Sequence, residues 1–247
     1  MYISYVLPVH NEEKILRQSV ATLVNRLDAF PGSEIIIVEN GSTDGSAQLV
    51  KLMAENASSK HVRVIDGYSP KGFGNAYRQG IRQSSGDLIV LSAADLPFGF
   101  SDLESYLALE GSLRLVIGSK GHPKSSVEVR GTRRLASWLF RLFRRVVLGM
   151  DVRDSQGTLL VDGNLARRLL PLLTSSDYFV STEIIAFAQA HGVEPIEVPI
   201  DYRDPRSDSK VRPLRDGWRM LRQLFALRRR LKSFTPIYEH PPAINAP

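Results

Sequence analysis

A single carboxylate follows an apolar run of the chain, at a position where sheets of parallel strands bind ligands. Residues 88–91 are uninterrupted apolar residues, as expected for a strand covered on both faces, and Asp95 follows shortly after them. Open α/β sheets bind ligands just beyond the carboxyl ends of their strands. Asp95 is therefore a candidate ligand for a metal or a neighbour of a phosphate. An aspartate that only begins the turn at Pro97 would give the same local pattern.

Three more polar clusters follow predicted strands, at residues 8–13, 39–44 and 71–78. Because parallel strands end at one edge of a sheet, all four clusters are expected to meet there. Their carboxylates and amides suit a nucleobase and a ribose, whereas their glycine-containing turns and cations suit phosphates. The glycines alone indicate little, since neither a Walker spacing nor a G-x-G-x-x-G after the first strand is present. Together the four clusters predict a site for a nucleotide-diphosphate ligand.

The elements that would position these clusters alternate between strand and helix. This alternation predicts an α/β fold with a doubly wound, mostly parallel sheet. Asn11 is expected to cap the first helix. The strands are predicted at 3–7, 34–38, 62–65, 88–91, 113–119 and 197–200. The helices are predicted at 12–27, 47–54, 75–83, 133–148, 163–173, 182–191 and 213–231.

Two of the predicted helices, at 133–148 and 213–231, combine large apolar side chains with many arginines. The ordinary interpretation is a surface helix whose apolar stripe faces the core and whose arginines face solvent. Basic amphipathic helices with aromatic residues also lie in membrane interfaces and attract anionic lipids. The chain is accordingly divided into a domain at 1–212, a basic amphipathic helix at 213–232 and a flexible proline-rich tail at 233–247.

Composition limits the chemistry and the compartment. The 247 residues include no cysteine, which excludes disulfides, thiolate metal sites and a cysteine nucleophile, and a reducing compartment such as the cytoplasm is expected. The first residues predict a strand rather than a signal peptide, and arginines interrupt every apolar run that could span a bilayer. The net charge of +6 would permit nucleic-acid binding, but no reader motif accompanies the basic residues, so no nucleic-acid partner is expected.

Four segments resemble, in order, the motifs of the inverting glycosyltransferase family two, whose GT-A fold is a three-layer α/β architecture with a mostly parallel central sheet. They are residues 8–13, 38–45, 71–81 and 86–96. The second half is similar to the polyprenyl-phosphate branch of that family, the dolichol-phosphate mannose and glucose synthases. Its matching segments are 117–120, 133–137, 152–156, 197–200 and 208–210. The resemblance covers nearly the whole chain.

The resemblance implies transfer of glucose or mannose from a nucleotide-diphosphate sugar to polyprenyl phosphate, with inversion, by a peripheral protein on the cytoplasmic face of the membrane. A lipid phosphate is already anionic at neutral pH, so it needs no strong general base. The donor would be bound by Pro8, Glu12, Glu39, Asn40, Lys71, Arg78, Asp95, Ser209 and Lys210. Arg133 and Ser137 would bind the acceptor phosphate, and Asp95, Arg133 and Gln156 would act in catalysis. Asp95 would also hold a divalent metal, Mg²⁺ or Mn²⁺.

Departures from the family pattern leave alternatives open. Ala93 replaces the first aspartate of the Asp-x-Asp motif, so the metal could be used weakly or be dispensable. One alternative is a catalytically weak or silent nucleotide-sugar-binding subunit of a membrane glycosylation complex. Another is a glycosyltransferase with a saccharide acceptor, although Ser181 stands where the family has an aspartate. A membrane-protein partner or a homo-oligomer is compatible with each of these functions.

Overall fold

The structure, a computed structural model, describes residues 1–57, 59–110, 114–127, 131–202 and 213–235, with the backbone alone at 131–137 and 213–217. Its centre is a seven-stranded sheet with the strand order β3-β2-β1-β4-β7-β5-β8, and β6 and β9 pair separately. The strands are β1 (Ile3–Val9), β2 (Glu34–Glu39), β3 (Arg63–Tyr68), β4 (Leu88–Leu91), β5 (Leu115–Gly118), β6 (Ser126–Val127), β7 (Thr158–Asp162), β8 (Ile196–Val198) and β9 (Asp201–Tyr202).

Helices cover both faces of the sheet, so the predicted three-layer α/β architecture with a mostly parallel sheet is confirmed. The helices are α1 (Glu13–Leu27), α2 (Ser46–Asn56), α3 (Phe73–Gln83), α4 (Ser101–Leu107), α5 (Gly131–Leu148), α6 (Gly163–Leu169), α7 (Val180–Ala190) and α8 (Pro213–Lys232). The core on one face includes α1, α2 and α4, and the core on the other includes α3, α5, α6, α7 and α8.

The central strands are buried on both sides. Ile3, Tyr5 and Leu7 of β1 pack into the core beneath α1 and α2, whereas Val6 packs into the core beneath α3. Because side chains alternate across a strand, a strand with two covered faces is apolar at most positions, and a polar side chain there needs a hydrogen-bond partner. The strand β4 is apolar throughout, whereas the buried Ser4 of β1 is hydrogen-bonded to the buried Glu34 of β2.

The strand β7 was not predicted from the sequence, and it runs antiparallel to both of its neighbours. Leu159 pairs with Leu91 of β4, and Thr158 pairs with Gly118 of β5. The start of β7 therefore lies beside the ends of β4 and β5. This reversal brings the segment before β7, including Gln156, to the carboxyl edge of the parallel strands.

The opposite edge of the sheet is tied together by one buried carboxylate, Glu34. Its oxygens accept hydrogen bonds from Ser4 Oγ at 2.6 Å, Ser85 N at 2.7 Å and Tyr2 Oη at 2.9 Å, and Arg63 Nη2 lies 2.9 Å away. Burial alone would raise the pKa of Glu34, but these hydrogen bonds more than offset that effect and lower the pKa. Glu34 thus joins the amino-terminal ends of β1, β2 and β3 to the loop before β4.

The C-terminal helix α8 is packed into the main core. It contacts α5 and α7, and its Leu224 and Leu227 are almost fully buried. Its bounds agree with the helix predicted at 213–231. Residues 236–247 of the predicted tail lie outside the described residues. Within the described part of the chain, no helix combines the length and the apolar character needed to cross a membrane.

Candidate active site

A cleft of about 590 Å³ opens at the carboxyl edge of the sheet, where β1, β2 and β4 end. Six residues predicted from the sequence to bind ligand line it together. They are Pro8, Glu12, Asn40, Lys71, Asp95 and Gln156. The four polar clusters therefore meet in one place, as expected for the ends of parallel strands.

The loops after β1 and β2 form one wall of this cleft. Asn11 Oδ1 accepts a hydrogen bond from Thr43 N at 2.7 Å, and Glu12 N donates to Ser46 Oγ at 3.0 Å. The prediction that Asn11 caps α1 is wrong. Asn11 has a positive φ of 59° and bridges to the neighbouring loop, while Glu12 occupies the N-cap position. Asparagine adopts a positive φ more readily than most residues, and its side chain also forms the bridge to Thr43, so both features suit Asn11 to this position.

Glu39 is not among the residues that line the cleft, and it acts on the shape of the cleft through the turn after β2. Its buried carboxylate accepts a hydrogen bond from Ser42 N, which closes the turn after β2. At Gly41, with φ of 83°, an added Cβ would lie 3.3 Å from Lys71 Cβ. The glycine thus lets the Lys71 segment approach the end of β2 closely.

The two cations predicted near the start of α3 have different positions. Lys71 lines the cleft. Arg78 lies outside the lining residues, and its guanidinium donates to Leu173 O at 3.0 Å and to Asn75 Oδ1. Lys71 is therefore the cation of this segment that can meet a phosphate in the cleft, whereas Arg78 braces α3 against the segment before α7.

The floor of the cleft is the segment after β4. Ser92, Ala93, Ala94 and Asp95 all line it, and Tyr77 Oη donates to Ser92 O at 3.1 Å. Ala93 presents a methyl group where a second carboxylate would stand. In the described part of the chain, no group of three or more histidine, aspartate or glutamate side chains is placed to hold a metal. The donor set fits a divalent cation only where a bound diphosphate would share its coordination with Asp95.

The wall beyond β4 is formed by Lys120 and the segment before β7. Asp154 accepts hydrogen bonds from Lys120 N at 3.1 Å and Gln156 N at 2.9 Å, and it lies 3.3 Å from Lys120 Nζ. The ammonium also lies 5.5 Å from the centre of the Phe98 ring and 5.6 Å from that of Tyr202. Lys120 was not predicted as a site residue, although its position directly after a strand could have indicated it.

Four predicted residues cannot be placed by their side chains. Arg133 and Ser137 belong to the part of α5 whose backbone alone is described. Ser209 and Lys210 lie outside the described residues.

The model of glycosyl transferase family 2 matches residues 4–158, more than half of the chain. The chain belongs to glycosyl transferase family 2. The resemblance stated from the sequence motifs is thereby confirmed, and the strands that end at the cleft lie within or at the edge of the matched segment.

Curated relatives of this family 2 glycosyltransferase carry names of the polyprenyl-phosphate branch. A dolichyl-phosphate beta-glucosyltransferase from Dictyostelium discoideum is 26% identical over 92% of this chain and 74% of its own length. An undecaprenyl-phosphate mannosyltransferase from Micrococcus luteus is 26% identical over 82% of this chain and 84% of its own. A dolichyl-phosphate beta-glucosyltransferase from Trichomonas vaginalis is 27% identical over 86% of this chain, which spans 66% of that protein.

Solved structures share the fold. Glucosyl-3-phosphoglycerate synthase from Mycobacterium tuberculosis in complex with UDP has a TM-score of 0.60 at 24% identity, covering 95% of this chain and 81% of its own. The same enzyme with Mn²⁺, UDP-glucose and phosphoglyceric acid has a TM-score of 0.61 at 22% identity, covering 95% and 80%. At this identity the likeness establishes the GT-A fold of the family 2 domain.

One partly buried carboxylate, that of Glu197, organises the Lys120 wall of the glycosyltransferase. Glu197 accepts hydrogen bonds from Ser119 Oγ at 2.6 Å, Asp154 N at 3.1 Å and Arg153 N at 2.9 Å. These donors belong to the two segments that carry Lys120 and Gln156. The family motif at 197–200 thus has a physical role in fixing that wall.

Arg144 supports the same wall from α5. It is 1% exposed, and it donates to Ser155 Oγ at 2.6 Å and to Val152 O. Burial lowers the pKa of Arg144 to about 10, against the opposing effect of the nearby carboxylates of Asp154 and Glu197. The interpretation that all arginines of α5 face solvent is therefore wrong for Arg144, which faces the loop before β7.

We predict that Arg144→Gln destabilises the protein far more than Arg145→Gln. Loss of the Arg144 guanidinium removes the donor to the buried Val152 carbonyl and leaves Ser155 Oγ with the bond from Thr182 Oγ1, which should lower the free energy of unfolding by about 3 kcal/mol. Arg145 is exposed and lies 3.6 Å from exposed Asp151, so its loss should cost less than about 0.5 kcal/mol. Urea unfolding of the two variants measures both values. Equal effects would contradict the assigned role of Arg144.

Proposed function

We propose that the protein transfers a hexose, glucose or mannose, from a nucleotide-diphosphate sugar to polyprenyl phosphate, with inversion at the anomeric carbon. The observation that carries this proposal is the order of groups across the cleft. Pro8, Glu12 and Asn40 lie on the β1 and β2 side, Asp95 lies at the end of β4, and Lys120 lies on the far side. The names of the curated relatives support a polyprenyl phosphate as the acceptor.

In this arrangement the nucleoside of the donor occupies the β1 and β2 wall. Its diphosphate then lies near Lys71 and the floor after β4, where the ammonium offsets the negative charge that grows on the leaving group. An oxygen of the acceptor phosphate attacks the anomeric carbon from the face opposite the diphosphate. The new glycosidic bond forms as the bond to the diphosphate breaks, which inverts the configuration.

The proposed phosphate acceptor explains why a serine, Ser181, suffices in the lining of the cleft. A phosphate monoester is already deprotonated near neutral pH, so it requires no strong general base. Ser181 lines the cleft at a position where a carboxylate would serve an alcohol acceptor. We assign Arg133 and Ser137 of α5 to the acceptor phosphate, and Ser209 and Lys210 to closure over the donor. These assignments rest on the family motifs.

A divalent cation, Mg²⁺ or Mn²⁺, is proposed to accompany the donor. Asp95 would hold it, and the cation would supply positive charge to the leaving diphosphate. With Ala93 beside it, Asp95 contributes the carboxylate of this segment, so the protein alone retains the cation weakly. Metal dependence is therefore expected to appear with the bound donor.

The exposed apolar residues of α5 and α8 are proposed to rest on the cytoplasmic face of the membrane. On α5 they recur at helical spacing, and on α8 they include two aromatic side chains. The exposed set is Trp138, Leu139, Leu142, Phe143 and Val146 on α5, with Trp218 and Phe225 on α8. Apolar and aromatic side chains beside arginines suit the interface of an anionic bilayer.

The transfer reaction is testable directly. We expect purified protein with Mg²⁺ or Mn²⁺ to move labelled hexose from UDP-glucose or GDP-mannose to polyprenyl phosphate in detergent, with product configuration opposite to that of the donor. Saccharides and the lipid alcohol without phosphate serve as control acceptors. Transfer only to saccharides would favour the alternative acceptor. A donor that raises the melting temperature without transfer to any acceptor would favour a silent binding subunit.

The role of Ala93 is testable by restoring a carboxylate. Ala93→Asp should tighten Mn²⁺ binding in the presence of UDP by roughly tenfold or more, because a second anionic oxygen ligand becomes available. Ala93→Asn is the control, since it has similar size and no charge. Calorimetric titration with Mn²⁺ measures the effect. Equal affinities in the two variants would contradict the placement of the metal beside residue 93.

Membrane contact is testable by flotation with vesicles of phosphatidylcholine and phosphatidylglycerol. Trp138→Ser and Trp218→Ser should each weaken binding to the vesicles by roughly tenfold. This is the effect expected when binding no longer transfers a large apolar side chain from water into the membrane. Tyr68→Ser is the control, because Tyr68 is exposed on β3, the edge strand of the sheet, and belongs to neither helix. Unchanged flotation of the tryptophan variants would contradict the proposed membrane surface.

A further inference from the structure

Residues 174–178, called the rim segment below, form the part of the cleft that precedes α7. Ser176, Asp177 and Tyr178 line the cleft directly. Glu183 holds the start of the segment, because its carboxylate accepts hydrogen bonds from Thr174 N at 3.0 Å and Ser175 N at 2.9 Å. The start of the rim segment is therefore held by a buried carboxylate.

The rim segment packs against the turn that follows Lys71. Gly74 N donates to Ser176 O at 2.9 Å, and the rings of Phe73 and Tyr178 lie 4.4 Å apart. A Cβ added to Gly74 would lie 2.2 Å from Ser175 O, so the two backbones are in direct contact. A displacement of the rim segment must therefore displace the turn that carries Lys71 or open a gap beside it.

The other side of the rim segment is held by α8. Gln223 Nε2 lies 3.1 Å from both carboxylate oxygens of Asp177, and Arg219 Nε lies 3.6 Å from one of them. Further along the helix, Arg230 Nη1 donates to Glu183 Oε1 at 2.6 Å and to Thr174 Oγ1 at 2.8 Å. Three residues on one side of α8 thus contact the rim segment or the carboxylate that holds it.

We propose that Gln223 is a positioning residue for the donor, acting through Asp177 on the rim segment. Hydrogen bonds to a carboxylate are stronger than those between neutral groups, and both Asp177 oxygens face the same amide. The same helix exposes Trp218 and Phe225, so the element proposed to meet the membrane also sets the geometry of the cleft. This inference deepens the proposed function and rests on it for the identity of the ligand.

The test is a series at position 223 with UDP and GDP as probes. Gln223→Glu places a second carboxylate against Asp177, and Gln223→Ala removes the donor. Each should weaken binding of the nucleotide that binds the wild-type protein by about tenfold, the effect expected when a hydrogen bond to a charged group is lost. Gln223→Lys restores a donor to Asp177 and should recover most of the affinity. Arg228→Gln, at an exposed position on the opposite side of the same helix, is the control.

Calorimetry gives the affinities, and amide hydrogen exchange of residues 72–78 and 174–178 reports the rim segment without any ligand. We expect faster exchange in both segments for Gln223→Glu, with Gln223→Lys resembling wild type. Unchanged exchange and affinity in Gln223→Glu would overturn the inference, as would equal losses in the Glu and Lys variants. Failure of the wild-type protein to bind either nucleotide would count against the proposed function, while the exchange result would still decide the role of Gln223.

Discussion

Parallel pairing of β1 with β2 and β4 is the constraint on which the site depends. Val9 pairs with Glu39, and Val6 pairs with Leu91, so the three strands end close to one another at a single edge. The loops that leave these ends cannot pack into the sheet, and they must turn above it. Their polar groups are thereby collected in one cleft without any need for those residues to be close in sequence.

Irregular loops beside a cleft contain backbone N–H groups that no sheet or helix satisfies. In this protein, two glutamates accept several of those hydrogen bonds. Glu197 accepts from the segments that carry Lys120 and Gln156, and Glu183 accepts from the start of the rim segment. A carboxylate suits this role because its two oxygens accept several bonds at once. Such residues look like site residues in a motif, yet they act on the shape of the cleft.

Much of this fold could be predicted from the sequence, because continuous apolar runs and helical spacing have few alternative interpretations. The convergence of Pro8, Asn40, Lys71 and Asp95 followed from topology alone. The strand β7 was missed because its apolar run, at 159–161, is only three residues long, which is shorter than the runs that identify a buried strand. The inward orientation of Arg144 was missed for a different reason. An amphipathic pattern predicts the side of a helix on which most charged residues lie. It does not identify a single arginine, such as Arg144, that turns inward to hydrogen-bond a buried carbonyl.

The distribution of arginine changes the meaning of the net charge of +6. Arg144 contacts Ser155 and Arg230 contacts Glu183 inside the protein, so both contribute little to the positive electrostatic field outside it. In the cleft, Lys120 already lies beside Asp154, which compensates its charge. Among the described residues that line the cleft, Lys71 and a cation held by Asp95 would then be the main positive charges near the diphosphate of the proposed donor. With Ala93 in the floor, the balance between these two charges would set how strongly the proposed transfer depends on metal.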